Sequence, residues 1–306
     1  MSGAIGVLVM AYGGPNSLDE VERYLFDVRG FRPTPPHLVE EVRTRYRRIG
    51  GRSPILERTE AQARALQAAL GGDGRFVVSV GMRHWHPYIA DALARMAEGG
   101  IRRAVGVVMA PHYSRLSVGA YYEAVAEADA GVSVRGIEEW HQLPGYVDAL
   151  AGRVREALGR FPADERASTP VLFTAHSLPE RILTWDDPYP RQLAATASAV
   201  VAALGGHPHR FAYQSASPTR KAWLGPDVRD ALGDLAREGA RGVVVAPIGF
   251  VCEHVEILYD LDVELVAHAA TLGVCLERTA MLDDAPSMIA GLAELVRGEA
   301  RAAGWM

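Results

Sequence analysis

Short apolar runs alternate with longer amphipathic stretches along almost the whole chain. Residues 5–10 form a continuous apolar run, the pattern of a strand buried on both faces, and a Tyr-Gly-Gly-Pro turn ends it. Further strands are expected at 75–81, 104–110 and 133–136, then at 170–175, 209–214, 242–247 and 272–276. Helical spacing fills the intervals. One helix starts at Ser17, where Glu20 completes a capping-box pattern. A second runs to about Arg48 after the break at Pro33, Pro35 and Pro36. Others are expected at 59–70, from Pro87, from about 117, and at 144–159, 187–204, 226–238 and 284–302. Strands alternating with helices of this length predict an α/β protein of parallel sheets with crossover helices. Reactive groups in such folds lie beyond the carboxyl ends of the strands.

The two halves echo one another. Val7-Leu8-Val9-Met10-Ala11-Tyr12 is similar to Val171-Leu172-Phe173-Thr174-Ala175-His176. In the same order, Val107-Val108-Met109-Ala110-Pro111-His112 is similar to Val243-Val244-Val245-Ala246-Pro247-Ile248. Two related folds packed with their strand ends facing would put Tyr12 and His176 on opposite walls of one cleft.

After the apolar run ending at 247, the chain reads as a regular helix carrying Glu256, Asp260 and Glu264 at spacings of four and four. On a helix these carboxylates share one face, about 6 Å of rise apart. Between Arg241 and Arg278 there is no Lys or Arg, so the stripe has no local counter-charge, and like charges at i,i+4 repel. A bound cation resolves that repulsion, and the stripe is expected to be a metal path. A solvated acidic face is the plainer alternative.

Composition adds mostly exclusions. The chain has 306 residues, 49% of them hydrophobic, and a formal net charge of −5. This is enough for two domains and gives no basic patch for nucleic acid. No apolar run reaches the roughly 20 residues that span a bilayer, and the N-terminus has no signal-peptide pattern. The two cysteines, Cys252 and Cys275, are too few for a four-thiolate cluster and fit a reducing cytoplasm.

His176 stands where a strand meets the turn SLPE. A neutral imidazole there accepts a proton or binds a borderline metal; a histidine satisfied by backbone groups is the commoner fate. His84 and His86, around Trp85, and His112 are also at strand ends. The segment around His254 lacks the HExxH pattern of zinc proteases, Ser177 lacks a nucleophile elbow, and no glycine pattern supports nucleotide binding. Arg29, Arg45 and Arg52, beside Pro/Gly turns, suit carboxylates, so a cleft with an anion-binding wall and an acidic wall is expected.

VLVMAYGGP, RYRRIGGRSPI, APHYSRLSV, AHSLPERI, WLGPDV and PIGFVCEHVEILYDLDVE, in that order, resemble the ferrochelatase family. The resemblance implies two similar Rossmann-like domains of chelatase type, at 1–142 and 143–283, with a cleft between them and a C-terminal helix in 284–306 packing back on the first. It implies insertion of Fe²⁺, as substrate, into a porphyrin with release of two protons. His176 and Glu256 then act as the catalytic pair and, with Tyr12, Asp260 and Glu264, meet the metal. Tyr12, Arg29, Arg45, Tyr46, Ser53, His84, Tyr122 and Trp223 meet the porphyrin, with Met10 and Leu116 on its apolar walls. Tyr12 after the first strand matches members that use coproporphyrin III, as does the absence of a membrane-facing lip. Arg115 departs from the small hydroxylic residue usual there. No tightly bound cofactor and no [2Fe–2S] cluster is expected. A cytoplasmic monomer is, with a coproheme decarboxylase as the downstream partner. The rivals are protoporphyrin IX as substrate, a cobalt or nickel chelatase acting on a corrin precursor, and a non-catalytic haem or iron carrier.

Overall fold

The computed structural model describes residues 3–217 and 221–306. Among these residues the strands form two four-stranded sheets. The first holds β1 (Ile5–Ala11), β2 (Phe76–Met82), β3 (Arg103–Val108) and β4 (Ser133–Ile137) in the order β2-β1-β3-β4. The second holds β5 (Val171–His176), β6 (His209–Gln214), β7 (Gly242–Ala246) and β8 (Cys275–Arg278) in the order β6-β5-β7-β8. Every pairing is parallel. The same order occurs twice, so β1 corresponds to β5 and β3 to β7, the two pairs whose sequences echo. β1 and β7 are buried along their whole length, as a β-branched run without polar alternation requires.

The connecting helices are α1 (Val21–Val28), α2 (Pro36–Arg48), α3 (Ile55–Leu70), α4 (Ile89–Glu98), α5 (Val118–Ala128), α6 (Pro144–Leu158), α7 (Tyr189–Ala203), α8 (Val228–Arg237), α9 (Val255–Leu258), α10 (Val266–Thr271) and α11 (Pro286–Ala302). The largest apolar cluster is continuous across both sheets. It runs from Val7 and Val9, through Tyr146, Leu150 and Val154 of α6, to Phe173 and Val244, and takes in Met288, Leu292 and Val296 of α11. The C-terminal helix is thus clamped against α3 and α6. Arg297 donates to the Ala69 carbonyl, and Arg135 pairs with Glu299.

Four local expectations are corrected. Ser17 makes no side-chain cap; the Glu20 carboxylate accepts from Asn16 N–H and Trp85 Nε1–H, and a 3-10 turn precedes α1. α3 starts at Ile55, because Thr59 lies one turn inside it and donates back to the Ile55 carbonyl. β8 starts at Cys275, after a turn at Gly273 with φ +69°. The acidic helix is not regular. Between α9 and α10, residues Asp260–Leu265 wind as a π-helix, and the Tyr259 carbonyl accepts from both Val263 and Glu264 N–H, at 3.1 and 2.9 Å. That extra width places Asp260 and Glu264 off the straight stripe expected from an α-helix.

Candidate active site

The carboxyl ends of both sheets face a cavity of about 370 Å³, a size ordinary for a ligand site. Tyr12 extends β1 into it. Beyond the end of the strand, Arg83 N–H donates to the Ala11 carbonyl and His84 N–H to that of Tyr12, both at 2.9 Å. This continued pairing sets the His84 ring against Tyr12, with centroids 4.6 Å apart. Gly13 turns the chain at φ +92°, where a Cβ would meet the Trp85 backbone at 3.0 Å, so glycine is required for both conformation and space.

His176 ends β5 on the other wall. Its Nε2 lies 3.4 Å from Glu256 Oε1, its Nδ1 hydrogen-bonds the Ser177 carbonyl, and the His176 carbonyl accepts from Tyr189 OH at 3.0 Å. Two features bring Glu256 here. Gly249 packs so close to β5 that a Cβ would come 2.6 Å from Ala175 Cβ. Gln214, at the end of β6, donates from Nε2 to the Glu256 carbonyl at 2.8 Å and is held by Thr174 Oγ1 at 2.7 Å.

Electrostatics make this pair ionic. Burial pushes the imidazolium down, but the Glu256 charge and hydrogen bond overrule it and raise His176 to about 9. Burial likewise pushes Glu256 up, and His176, then His254 and Arg45, hold it at about 2. Each charge favours the other, so the pair is drawn toward imidazolium and carboxylate. Tyr12 lies inside the cleft although 39% exposed; burial and the Glu256 charge push its phenol up to about 12.

From Glu256 the acidic residues lead away from the cavity, and they are not uncompensated. Ser215, itself at φ +60°, donates to Asp260 Oδ2, and Arg45 lies 3.8 Å from Asp260 Oδ1. Burial, with the Glu256 charge, still raises the Asp260 carboxyl to about 6. Glu264 pairs with Arg229 of α8 at 3.0 Å. The missing cations come from α2 and α8, far along the chain. Arg45 also lies over the Tyr259 ring at 5.4 Å, so it stands at the acidic stripe and not on a separate anion-binding wall.

Tyr12, Tyr46, Ser53, His84, His176, Glu256 and Leu116 line the cavity. Other expected residues lie elsewhere. Tyr122 OH donates to the carbonyls of Gly106 and Ile137, and its neighbour Tyr121 lines the cavity instead. Arg29 is exposed at the end of α1, whose Val28 reaches the cavity. Met10 is wholly buried in the core between β1 and α4. Trp223 lies behind His176, with ring centroids 6.3 Å apart. Arg115 lies over Trp185 at 5.4 Å. Sequence reasoning missed Tyr24, Arg83, Tyr121 and Tyr189 on the lining; only Arg83, next to His84 at the end of a strand, carried a usable signal. Among the described residues no three His, Cys, Asp or Glu side chains converge as a preformed metal cage, and no helix is long and apolar enough to cross a membrane.

The ferrochelatase family model matches residues 4–300. The chain belongs to the ferrochelatase family. A ferrochelatase of Herpetosiphon aurantiacus is 42% identical over 98% of this chain and 100% of its own length. A coproporphyrin III ferrochelatase of Geobacillus kaustophilus is 39% identical over 95% of this chain and 94% of its own. Solved structures support the fold at low identity. SirB from Bacillus subtilis with Fe³⁺ has a TM-score of 0.60 at 10% identity, covering 98% of this chain and 97% of that one. CbiX, described as the terminal enzyme of sirohaem biosynthesis in denitrifying bacteria, has a TM-score of 0.55 at 13% identity, with 96% and 98% covered. As a ferrochelatase, this protein is a metal chelatase, a lyase of haem biosynthesis with iron as substrate.

Proposed function

We propose that this ferrochelatase inserts Fe²⁺ into coproporphyrin III. The observation that carries the reading is Tyr12 at the end of β1, lining the same cavity as the His176–Glu256 pair at the end of β5. Relatives from Geobacillus and Listeria at 36–39% identity bear the coproporphyrin III name, which supports the ring assignment. In this reading the two units divide at 142, with 284–306 returning to the first; the chain works as a cytoplasmic monomer, and a decarboxylase consumes the product.

Porphyrin binds between the walls. The imidazolium of His176 yields its proton through Glu256 toward Asp260, and Fe²⁺ arriving beside it favours that loss by charge repulsion. The freed imidazole takes one inner pyrrole proton, and the second leaves on the same acidic route. Glu256, Asp260 and Glu264 suit transit because carboxylates bind a hard-to-borderline cation without trapping it as thiolates would. Iron keeps its oxidation state, and two protons balance its two charges.

The test is anaerobic metallation of coproporphyrin III and, separately, protoporphyrin IX, followed by the Soret and Q bands. Metallation of coproporphyrin at least tenfold faster, abolished in Glu256→Ala, is expected. A preference for protoporphyrin refutes the substrate assignment, and binding of both rings without metallation above the protein-free rate refutes the catalytic one.

A further inference from the structure

The wall opposite His176 carries a second histidine whose surroundings have a clear polarity. His84 Nδ1 lies 2.8 Å from Asp27 Oδ1, and Tyr88 OH donates to Asp27 Oδ2 at 3.1 Å. His84 and Asp27 side chains are each only 14% exposed. An ionised carboxylate accepts and never donates, so the proton in the Asp27–His84 bond resides on Nδ1. A neutral imidazole has one N–H, which leaves Nε2 as a bare lone pair. Nε2 makes no hydrogen bond among the described residues, and the ring lines the cavity.

We propose that Asp27, braced by Tyr88, is a positioning residue that fixes the His84 tautomer and ring plane, so that Nε2 presents a hydrogen-bond acceptor to an inner N–H of the bound porphyrin. The proposal rests on the reading of the cavity as a porphyrin site. Porphyrin has inner N–H groups to offer, and on the wall across from His84 both ring nitrogens of His176 are already engaged, by Glu256 and by the Ser177 carbonyl. A free acceptor on the Tyr12 wall and a His176–Glu256 pair on the other give the two faces of the ring different partners. The arrangement also ties α1 to the turn after β2, because Asp27 sits on α1 beside cavity-lining Val28 while His84 and Tyr88 belong to the turn and its exit. A carboxylate orienting a histidine through its far nitrogen is a recurrent device for setting tautomer, and behind metal-bound histidines its loss costs about tenfold to a hundredfold.

The experiment compares Asp27→Ala, Asp27→Asn and Tyr88→Phe with the wild-type protein. Long-range ¹H–¹⁵N NMR of the free protein, with His84→Gln for assignment, reads the His84 tautomer. Steady-state metallation of coproporphyrin III gives kcat and KM. Expected are a protonated Nδ1 and bare Nε2 in the wild type, and a mixed tautomer in Asp27→Ala with kcat down about tenfold or more. Asp27→Asn, whose amide oxygen still accepts from Nδ1–H, should restore the tautomer and most of kcat; Tyr88→Phe should lie between. A wild-type tautomer unchanged in Asp27→Ala overturns the proposal. So does an equal loss of kcat in the Ala and Asn variants. The free-protein spectrum decides the Asp27 assignment whether or not either ring is metallated, so failure of the functional reading is seen separately in the wild-type assay.

Discussion

Glu256→Gln removes one charge 3.4 Å from His176 Nε2 and keeps the side-chain shape. In the wild type, burial depresses the imidazole and Glu256 is the largest influence that raises it, to about 9 against an ordinary 6.5. Without that charge, burial dominates and His176 should titrate at or below about 6.5, a fall in proton affinity of more than about a hundredfold. A folded-state pKa above the unfolded one contributes stability that is fully present below pH 6.5 and is lost as pH rises through about 9. Glu256, held at about 2, contributes above its ordinary 4.5 and loses that as pH falls through about 2. The wild-type excess in melting temperature over Glu256→Gln should therefore be largest between about pH 4.5 and 6.5 and narrow toward pH 9. The assays are a histidine NMR titration of the free protein and thermal melts from pH 4 to 10. The variant's kcat for metallation should drop about 10²- to 10⁴-fold, the usual worth of a general acid–base group. A wild-type His176 titrating near 6.5, or a melting difference independent of pH, would refute the ionic-pair argument.

Three further outcomes are expected. Tyr122→Phe should leave kcat unchanged and destabilise by about 1–2 kcal/mol in urea unfolding, since its hydroxyl serves only the Gly106 and Ile137 carbonyls; a rise in KM for porphyrin would contradict this. Gly249→Ala must push against β5 at Ala175, so it should cost about 1–3 kcal/mol and lower kcat by displacing Glu256, with wild-type stability as the contrary result. Asp260→Asn, which removes a carboxyl raised to about 6, should lower kcat and flatten the rate's dependence on pH around 6. An unchanged pH–rate profile would take Asp260 off the proton route.

The doubled fold was legible because buried parallel strands write themselves as apolar runs, and the order of two such runs in each half matched the order in each sheet. Strand ends exposed Tyr12, His84 and His176 for the same reason. What one-dimensional spacing lacks is the source of distant partners. Arg45 and Arg229 neutralise Asp260 and Glu264 from helices about 215 and 35 positions away, and no local window contains them. Tyr121 and Tyr122 differ by a 100° rotation on one helix, which alternation along the sequence does not resolve when both neighbours are apolar. The π-winding after Tyr259 depends on one carbonyl serving two N–H groups, a choice of hydrogen bonding that composition does not encode.

The repeated strand order has a historical reading. A cleft made by doubling one unit begins with two interchangeable walls, and a flat ring between identical walls has no preferred side for metal to enter or protons to leave. Direction arises only when matching positions diverge. Here the end of one central strand leads to a phenol, Tyr12, and the end of the other to an imidazole, His176, paired with a carboxylate. The two walls therefore differ most in chemistry at their strand termini, although the strand order behind them is the same.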